Sequence, residues 1–438
     1  MKSILATVIT ISYLPRLRLT TLAENWLGLL LLLMLPLNAT DNVHFYHAGM
    51  WRSDPRLRCD QLSTIETWLN GGQTNQSFNT DSCRVGLLSL YGDLNIRNLA
   101  EGVPSSVTDG TDTIINDLWL QNPDPNFGNF AINAKFEDTE TGLCYVQNFH
   151  NGLFLQLHVP VRRLELNEIS YVDQTPVGTP LPTGVSEAEW LNFRSTIKTQ
   201  LETYQIRLSP VHETGFGDFT AEFGWAQNYQ HTKFFDFIDT DVRLGLLFPT
   251  GRKADVRQAY DLPLGYGGFW GFPLSVRISL GAYEWLTLGT LLDAIFFHED
   301  TRCLRLRTAA DQSGPIKLAV GTAKVQRGSV LNTGFYLKTD HIPWGLSLML
   351  GYSYNKGNAW NVLPESADFD YTIVNADPAL QSWHMHILNI FVECDFATDD
   401  HPHLPYIAFN VDHIFKGQRV FDTSMKGTTL GVNFIWEY

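Results

Sequence analysis

The sequence predicts an all-β chain: a transmembrane antiparallel up-and-down β-barrel of about twelve strands, fourteen being possible, with a short helix in an outer loop. Three observations predict it. Segments of roughly ten residues alternate apolar with polar or small residues through the second half of the chain. The connections between them are short and long by turns. The last residues, "GTTLGVNFIWEY", keep the alternation to a final aromatic, with Leu430, Val432, Phe434, Trp436 and Tyr438 in one phase. Thr429, Gly431, Asn433, Ile435 and Glu437 hold the other. In lipid only a closed barrel satisfies the backbone groups of strands, and barrels usually close on even numbers, which favours twelve. A soluble sandwich would have shorter strands and more even loops, and gives no reason for aromatics at strand ends.

At the N-terminus, "WLGLLLLLMLPLNA" follows Lys2, Arg16 and Arg18 and reads as a secretory leader over residues 1–39. The apolar run is short against the roughly twenty residues of a spanning helix. Glu24 and the earlier run "ILATVITISYL" are irregular for a leader, and an uncleaved anchor is the alternative. Residues 40–83 lack clear alternation and read as an N-terminal extension or a lumen plug, leaving 84–438 for the barrel. Strands are expected at "RVGLLSLYGDL", "NFAINAKFED", "GLCYVQNFH" and "GLFLQLHVPVRRLEL", with a hairpin at "HNG". Between Ser186 and Ile206 the pattern is helical, Ser186 serving as N-cap and Glu189 completing a capping box.

In "GFGDFTAEFGWA", Gly215 and Gly217 permit a tight strand entry. Phe219, Ala221, Phe223 and Trp225 then face outward, and Asp218, Thr220, Glu222 and Gly224 inward. In "DVRLGLLFPTGRK" the outward set is Val242, Leu244, Leu246 and Phe248, with Arg243 inside near Glu222; Pro249 ends the strand and Gly251 supports the turn. The stretch from Gly215, Gly217 and Asp218 to Phe248, Pro249, Thr250 and Gly251 resembles a family of bacterial outer-membrane barrels described as phenol-degradation meta-pathway proteins, related in architecture to the long-chain fatty acid transporters. It covers about forty residues. The resemblance implies passage of small, often apolar compounds across the outer membrane.

Three hairpins follow: "FPLSVRISL" with "LTLGTLLDAIFF", "SVLNTGFYLKT" with "WGLSLMLGYSY", and "SWHMHILNIFVECDF" with "LPYIAFNVDHI". Their links on one side are short, while "HEDTRCLRLRTAADQSGPIK" and "NKGNAWNVLPESADFDYTIVNADPALQ" on the other are long and polar. The tail, with Phe434, Trp436 and Tyr438, resembles the signal that the assembly machinery reads on outer-membrane barrels.

Alternation directs Asp218, Glu222, Arg243, Arg277, Asp293, Lys338, Glu393, Asp412 and Glu437 into the lumen. They read equally as a selectivity lining and as acid–base pairs filling a narrow interior. Inward Met385, Ile387 and Phe391 favour a plugged lumen. Net charge is −15, so no basic face offers itself to nucleic acid. His384 and His386 at i, i+2, and His298 beside Glu299, are the only hints of a metal site. No cofactor motif and no hydrolase or nucleotide-binding pattern occurs, and an enzyme is not expected. Cys59 and Cys83 could close a loop, as readily as all five cysteines could be buried thiols. The expected partners are outer-membrane lipid, the assembly machinery and small solutes. The function expected is passive diffusion of small solutes, the alternative being a non-conducting barrel whose outer loops bind a partner.

Overall fold

In a computed structural model, the described residues are 62–101, 127–181, 184–202, 204–230, 232–283, 285–342, 345–396 and 404–435. The expected leader, residues 40–61 with Cys59, and Trp436, Glu437 and Tyr438 lie outside them.

Twelve antiparallel wall strands close on themselves. They are β1 (Leu62–Thr74), β2 (Asn129–Asn148), β3 (Leu153–Asp173), β4 (Val211–Phe216) continued as β5 (Phe219–Gln230), β6 (Phe237–Phe248) and β7 (Gly271–Ala282). The circuit continues with β8 (Leu286–Phe297), β9 (Val330–Ile342), β10 (Leu346–Gly357), β11 (Trp383–Asp395), β12 (Tyr406–Gln418) and β13 (Ser424–Ile435). Each pairs with its neighbours, and β1 closes the circle, with Leu62 opposite Ile435 and Gln73 opposite Ser424. Closure leaves no free edge in lipid.

The first strand corrects the expectation for residues 40–83. Leu62–Thr74 is neither extension nor plug but a full wall strand bonded to both β2 and β13. Its lumen face carries Thr64, Glu66, Trp68 and Asn70, and its lipid face Ile65, Thr67 and Leu69. A tryptophan inside and a threonine outside cancel the hydropathy contrast, so the alternation did not stand out. Conversely, "RVGLLSLYGDL" does not span. It makes a short strand Arg84–Gly86 and a 3-10 turn Leu87–Ser89, and its leucines are buried in one cluster with Phe130, Ile132 and Phe136. "NFAINAKFED" and "GLCYVQNFH" are one strand of 20 residues, β2, and the hairpin at His150–Gly152 turns on Asn151 (φ 61°).

A spanning strand needs about nine to eleven residues. At 20 and 21 residues, β2 and β3 project well beyond the other strands on the side of the long loops, the outer side. Their outer halves carry Phe130, Ile132, Phe136, Leu164 and Leu166, which anchor an apolar cap. The helix α1 (Glu187–Glu202) adds Trp190, Phe193, Ile197 and Leu201, spaced to share one face. The predicted capping box starts it: the Glu189 N–H donates to Ser186 Oγ (3.3 Å), and the Ser186 N–H to Glu189 Oε2 (2.7 Å). The Ser186 N–H and the Ser186 hydroxyl, both donating to Glu189 Oε2, hold the Glu189 carboxyl below its usual range. Loops after β6 and β8 complete the cap with Leu262, Leu264, Ile316 and Leu318.

Outside the wall, Phe223, Leu244, Phe335, Leu350 and Phe409 stand exposed, as expected of a lipid-facing band. Trp225, Tyr229 and Trp285 mark the rim of short turns, while Phe248 and Trp270 (5.3 Å between rings) mark the outer rim. The chain is a transmembrane β-barrel of the outer-membrane type.

Candidate functional site

The lumen is built where the wall breaks between β4 and β5. Asp218 sits at the break, fully buried. Its carboxylate accepts the Gly251 N–H (2.9 Å) and the Tyr266 N–H (2.6 Å) from the connection after β6. Thr250 Oγ1 donates to the Gly217 carbonyl (2.7 Å) and accepts the Phe219 N–H (2.9 Å). Gly217, Asp218, Thr250 and Gly251 therefore form one lock that folds the loop after β6 over the barrel. Asp218, expected to line the pore, is instead a backbone cap; its acceptor atoms are occupied by peptide donors.

Below this lock lies a polar belt. Arg243 donates to both Asp241 oxygens (2.8 and 2.7 Å) and to Gln156 Oε1 (2.7 Å). Its guanidinium lies 5.4 Å from the Phe154 ring. Glu222, Arg277, Asp293 and Asn332 join Arg243 around a cavity of about 50 Å³, and Asn332 Nδ2 donates to Asp293 (2.8 Å). On β2 and β3, Glu140 accepts from Trp68 Nε1 (2.8 Å) and Arg162 Nε (2.8 Å), while the Trp68 ring stacks on His158 at 4.7 Å. Tyr406 donates to Glu66, and Asn389 Nδ2 donates to Asp412 (2.7 Å). Buried charges are tolerable only when paired in this way.

Above the belt the inner wall turns apolar. Leu247, Tyr266, Val330, Trp383, Met385, Ile387 and Ile414 form one cluster, continuous with Phe297. Its outer end is closed by Arg327, whose guanidinium lies 4.2 Å from the Phe297 ring centre and 4.7 Å from that of Tyr266. Several inward rings are pressed flat on the wall, because the residue directly opposite is glycine. Tyr336 lies over Gly289, Tyr406 over Gly431, Phe154 over Gly224 and Trp383 over Gly357. A Cβ at any of these glycines would lie 2.0–2.2 Å from the nearest ring atom, well inside contact distance.

Alternation thus places Glu222, Arg243, Arg277, Asp293, Lys338, Glu393 and Asp412 on the inward phase. The structure brings the first four together and sets Asp412 on a separate amide network. Of these, Arg243 pairs with Asp241, while Asp293 and Asp412 accept hydrogen bonds from the Asn332 and Asn389 amides. Glu66, Trp68, Glu140, His158, Arg162 and Asp241 went unnoticed. Glu140 and Arg162 are in phase with the inward set of their strands, but their outward neighbours Thr139, Thr141 and Arg163 are polar too, which hid the contrast. His384 and His386 face outward among Tyr352, Tyr354 and Phe415. Among the described residues no three His, Cys, Asp or Glu side chains converge as a metal site. Cys83 and Cys303 are exposed, contrary to the reading of five buried thiols.

No family model matches the chain, and no curated protein does. Among solved structures it is similar to an outer membrane channel from Pseudomonas putida F1, at 10% identity over 89% of this chain and 100% of that one, with a TM-score of 0.46. It is similar to the monoaromatic hydrocarbon channel CymD at 7% identity, covering 86% of this chain and 89% of that one, TM-score 0.32. A Pseudomonas aeruginosa FadL homologue matches at 8% identity over 91% of this chain and 98% of that one, TM-score 0.30.

Proposed function

We propose that the protein is a passive outer-membrane channel for small apolar solutes, working without energy coupling or a catalytic step. The observation that carries this reading is the apolar cluster inside the closed wall, formed by Leu247, Tyr266, Val330, Met385, Ile387 and Ile414, of which the first three border the same cavity as the polar belt. A lumen serving only ions or sugars has no use for an aliphatic lining, whereas an apolar solute gains roughly 25 cal/mol per Å² on leaving water for it. The solute enters from the cap, shelters among these apolar side chains and passes the belt as side chains there shift. Glycine wells keep the aromatic rings against the wall, so the path is narrowed by movable polar side chains rather than by rings.

The test is uptake of small aromatic solutes by liposomes carrying the refolded protein, its fold first confirmed by heat-dependent gel mobility. Uptake above that of empty liposomes supports the channel. A folded barrel that admits none overturns it and transfers the function to the outer loops, a second reading favoured by the tightly paired belt around Arg243 and Glu140.

A further inference from the structure

One patch on the lipid-facing wall has a charge pattern that neither the barrel nor the channel requires. At the outer rim, Lys356 on β10 stands opposite His384 on β11, and one step lower Tyr354 stands opposite His386, which stands opposite Lys416 on β12. Adjacent strands are about 4.8 Å apart, so these side chains form two neighbouring rows. The Tyr352 hydroxyl is 2.7 Å from His386 Nδ1, and the His386 ring lies 5.1 Å from Tyr354 and 5.5 Å from His384. A register shift between His386 and Ile387 puts Phe415 and Lys416 both on the outside, both exposed.

Among the described residues the surrounding wall presents no compensating acid. By alternation, the outward residues described on β9 to β13 include Lys356, Lys416 and Lys426 but no Asp or Glu; Glu393, Asp395 and Asp412 all take the inward phase. The opposite wall differs. There Lys135 pairs with Glu137 at 2.6 Å and Arg163 with Glu165. A chain of net charge −15 has therefore gathered cations without counter-ions at the headgroup level of one wall. Two lysines are compact point charges suited to phosphate oxygens, imidazole N–H groups add donors, and the flanking rings accept acyl chains.

We propose that this patch is a docking site for the phosphorylated headgroup of an outer-leaflet lipid, held between Lys356 and Lys416 over the His384–His386 pair. The occupant follows from charge complementarity and from position: the patch is continuous below with the apolar band of Leu348, Leu350, Leu388 and Ile390. A freely diffusing phosphate would leave that band unused.

The test is native mass spectrometry of the full protein in neutral detergent, titrated with phosphatidic acid, with phosphatidylcholine and with inorganic phosphate. This readout is independent of conduction, so its failure is distinct from failure of the channel reading. Phosphatidic acid should be retained selectively, and the K356Q/K416Q variant should lose roughly tenfold or more in retention, at about 1 kcal/mol per basic residue near a lipid surface. A K198Q change in α1 should retain it. Retention in wild type should also fall with added salt, a check that needs no variant. Equal retention of phosphatidylcholine, undiminished binding by K356Q/K416Q, or displacement by equimolar inorganic phosphate would each overturn the proposal.

Discussion

Consider filling the glycine wells beside Tyr336. Its ring lies over Gly289 and its hydroxyl is 2.6 Å from Ser279 Oγ, while Gly351 stands opposite on the other neighbouring strand. A Cβ at Gly289 would lie 2.0 Å from Tyr336 Cζ, and ordinary carbon contact needs about 3.5–4.0 Å, so the ring must move by roughly 1.5 Å. Overpacking of this kind costs about 1–3 kcal/mol, and loss of the Ser279 hydrogen bond adds about 1 kcal/mol. Alanine recovers only about 0.5–1 kcal/mol over glycine in a strand interior. In Gly289→Ala alone the ring can lean toward Gly351. In the double change Gly289→Ala, Gly351→Ala both flanks are filled and the ring is driven toward the lumen axis. The double variant should therefore lose about 2 kcal/mol or more of stability, read as a lower temperature of mobility shift, and also lose solute uptake. Adding Tyr336→Ala should restore uptake, though not the stability that the ring and its Ser279 hydrogen bond supply. Wild-type uptake in the double variant, or no restoration by Tyr336→Ala, would refute the idea that glycine wells hold the path open.

Glu140→Gln leaves Arg162 buried without its carboxylate while keeping an acceptor for Trp68; destabilisation of about 3 kcal/mol is expected by denaturant titration, and a neutral result would show that the pair is not desolvated. Asp218→Asn removes one of two acceptors facing the Gly251 and Tyr266 amides, at about 1–3 kcal/mol, and should make the 249–270 connection a preferred site for added protease; unchanged cleavage would contradict the lock. In the cap, burial lowers the Lys317 pKa, and the nearby Asp377 carboxylate (3.6 Å) offsets this only in part. The folded cap then binds fewer protons than the unfolded chain between that lowered value and the ordinary lysine value of about 10.4, so its stability should rise with pH through this window and level off above it. Lys317→Met should flatten that slope, as read from mobility-shift temperatures across the pH range; an unaltered slope would assign it to other groups.

Much of the barrel is legible from local pattern. Period-two alternation from Gly271 to Ile435 marked the hairpins and told lipid face from lumen face, because side-chain direction in a strand is a local property of the backbone. The capping box at Ser186 and Glu189 was legible for the same reason, its two members being three residues apart. The lumen was less so. Its inward phase contained Glu222, Arg243 and Asp293, but nothing local said that Arg243 would bond Gln156, 87 positions away, or that Trp68 would reach Glu140 across 72.

The sequence by itself determined that this chain forms strands able to close in lipid, with one apolar face turned out. Tertiary structure alone decided that Leu62–Thr74 closes the wall, that Asp218 caps a loop instead of lining a path, and that Arg243 pairs with Asp241 and Arg162 with Glu140. The physical reason is an asymmetry between the two faces. Lipid imposes one rule on every outward residue, so that face repeats and can be read along the chain. The lumen accepts any set of residues whose charges and hydrogen bonds are satisfied by partners across the barrel, and those partners meet only when it closes.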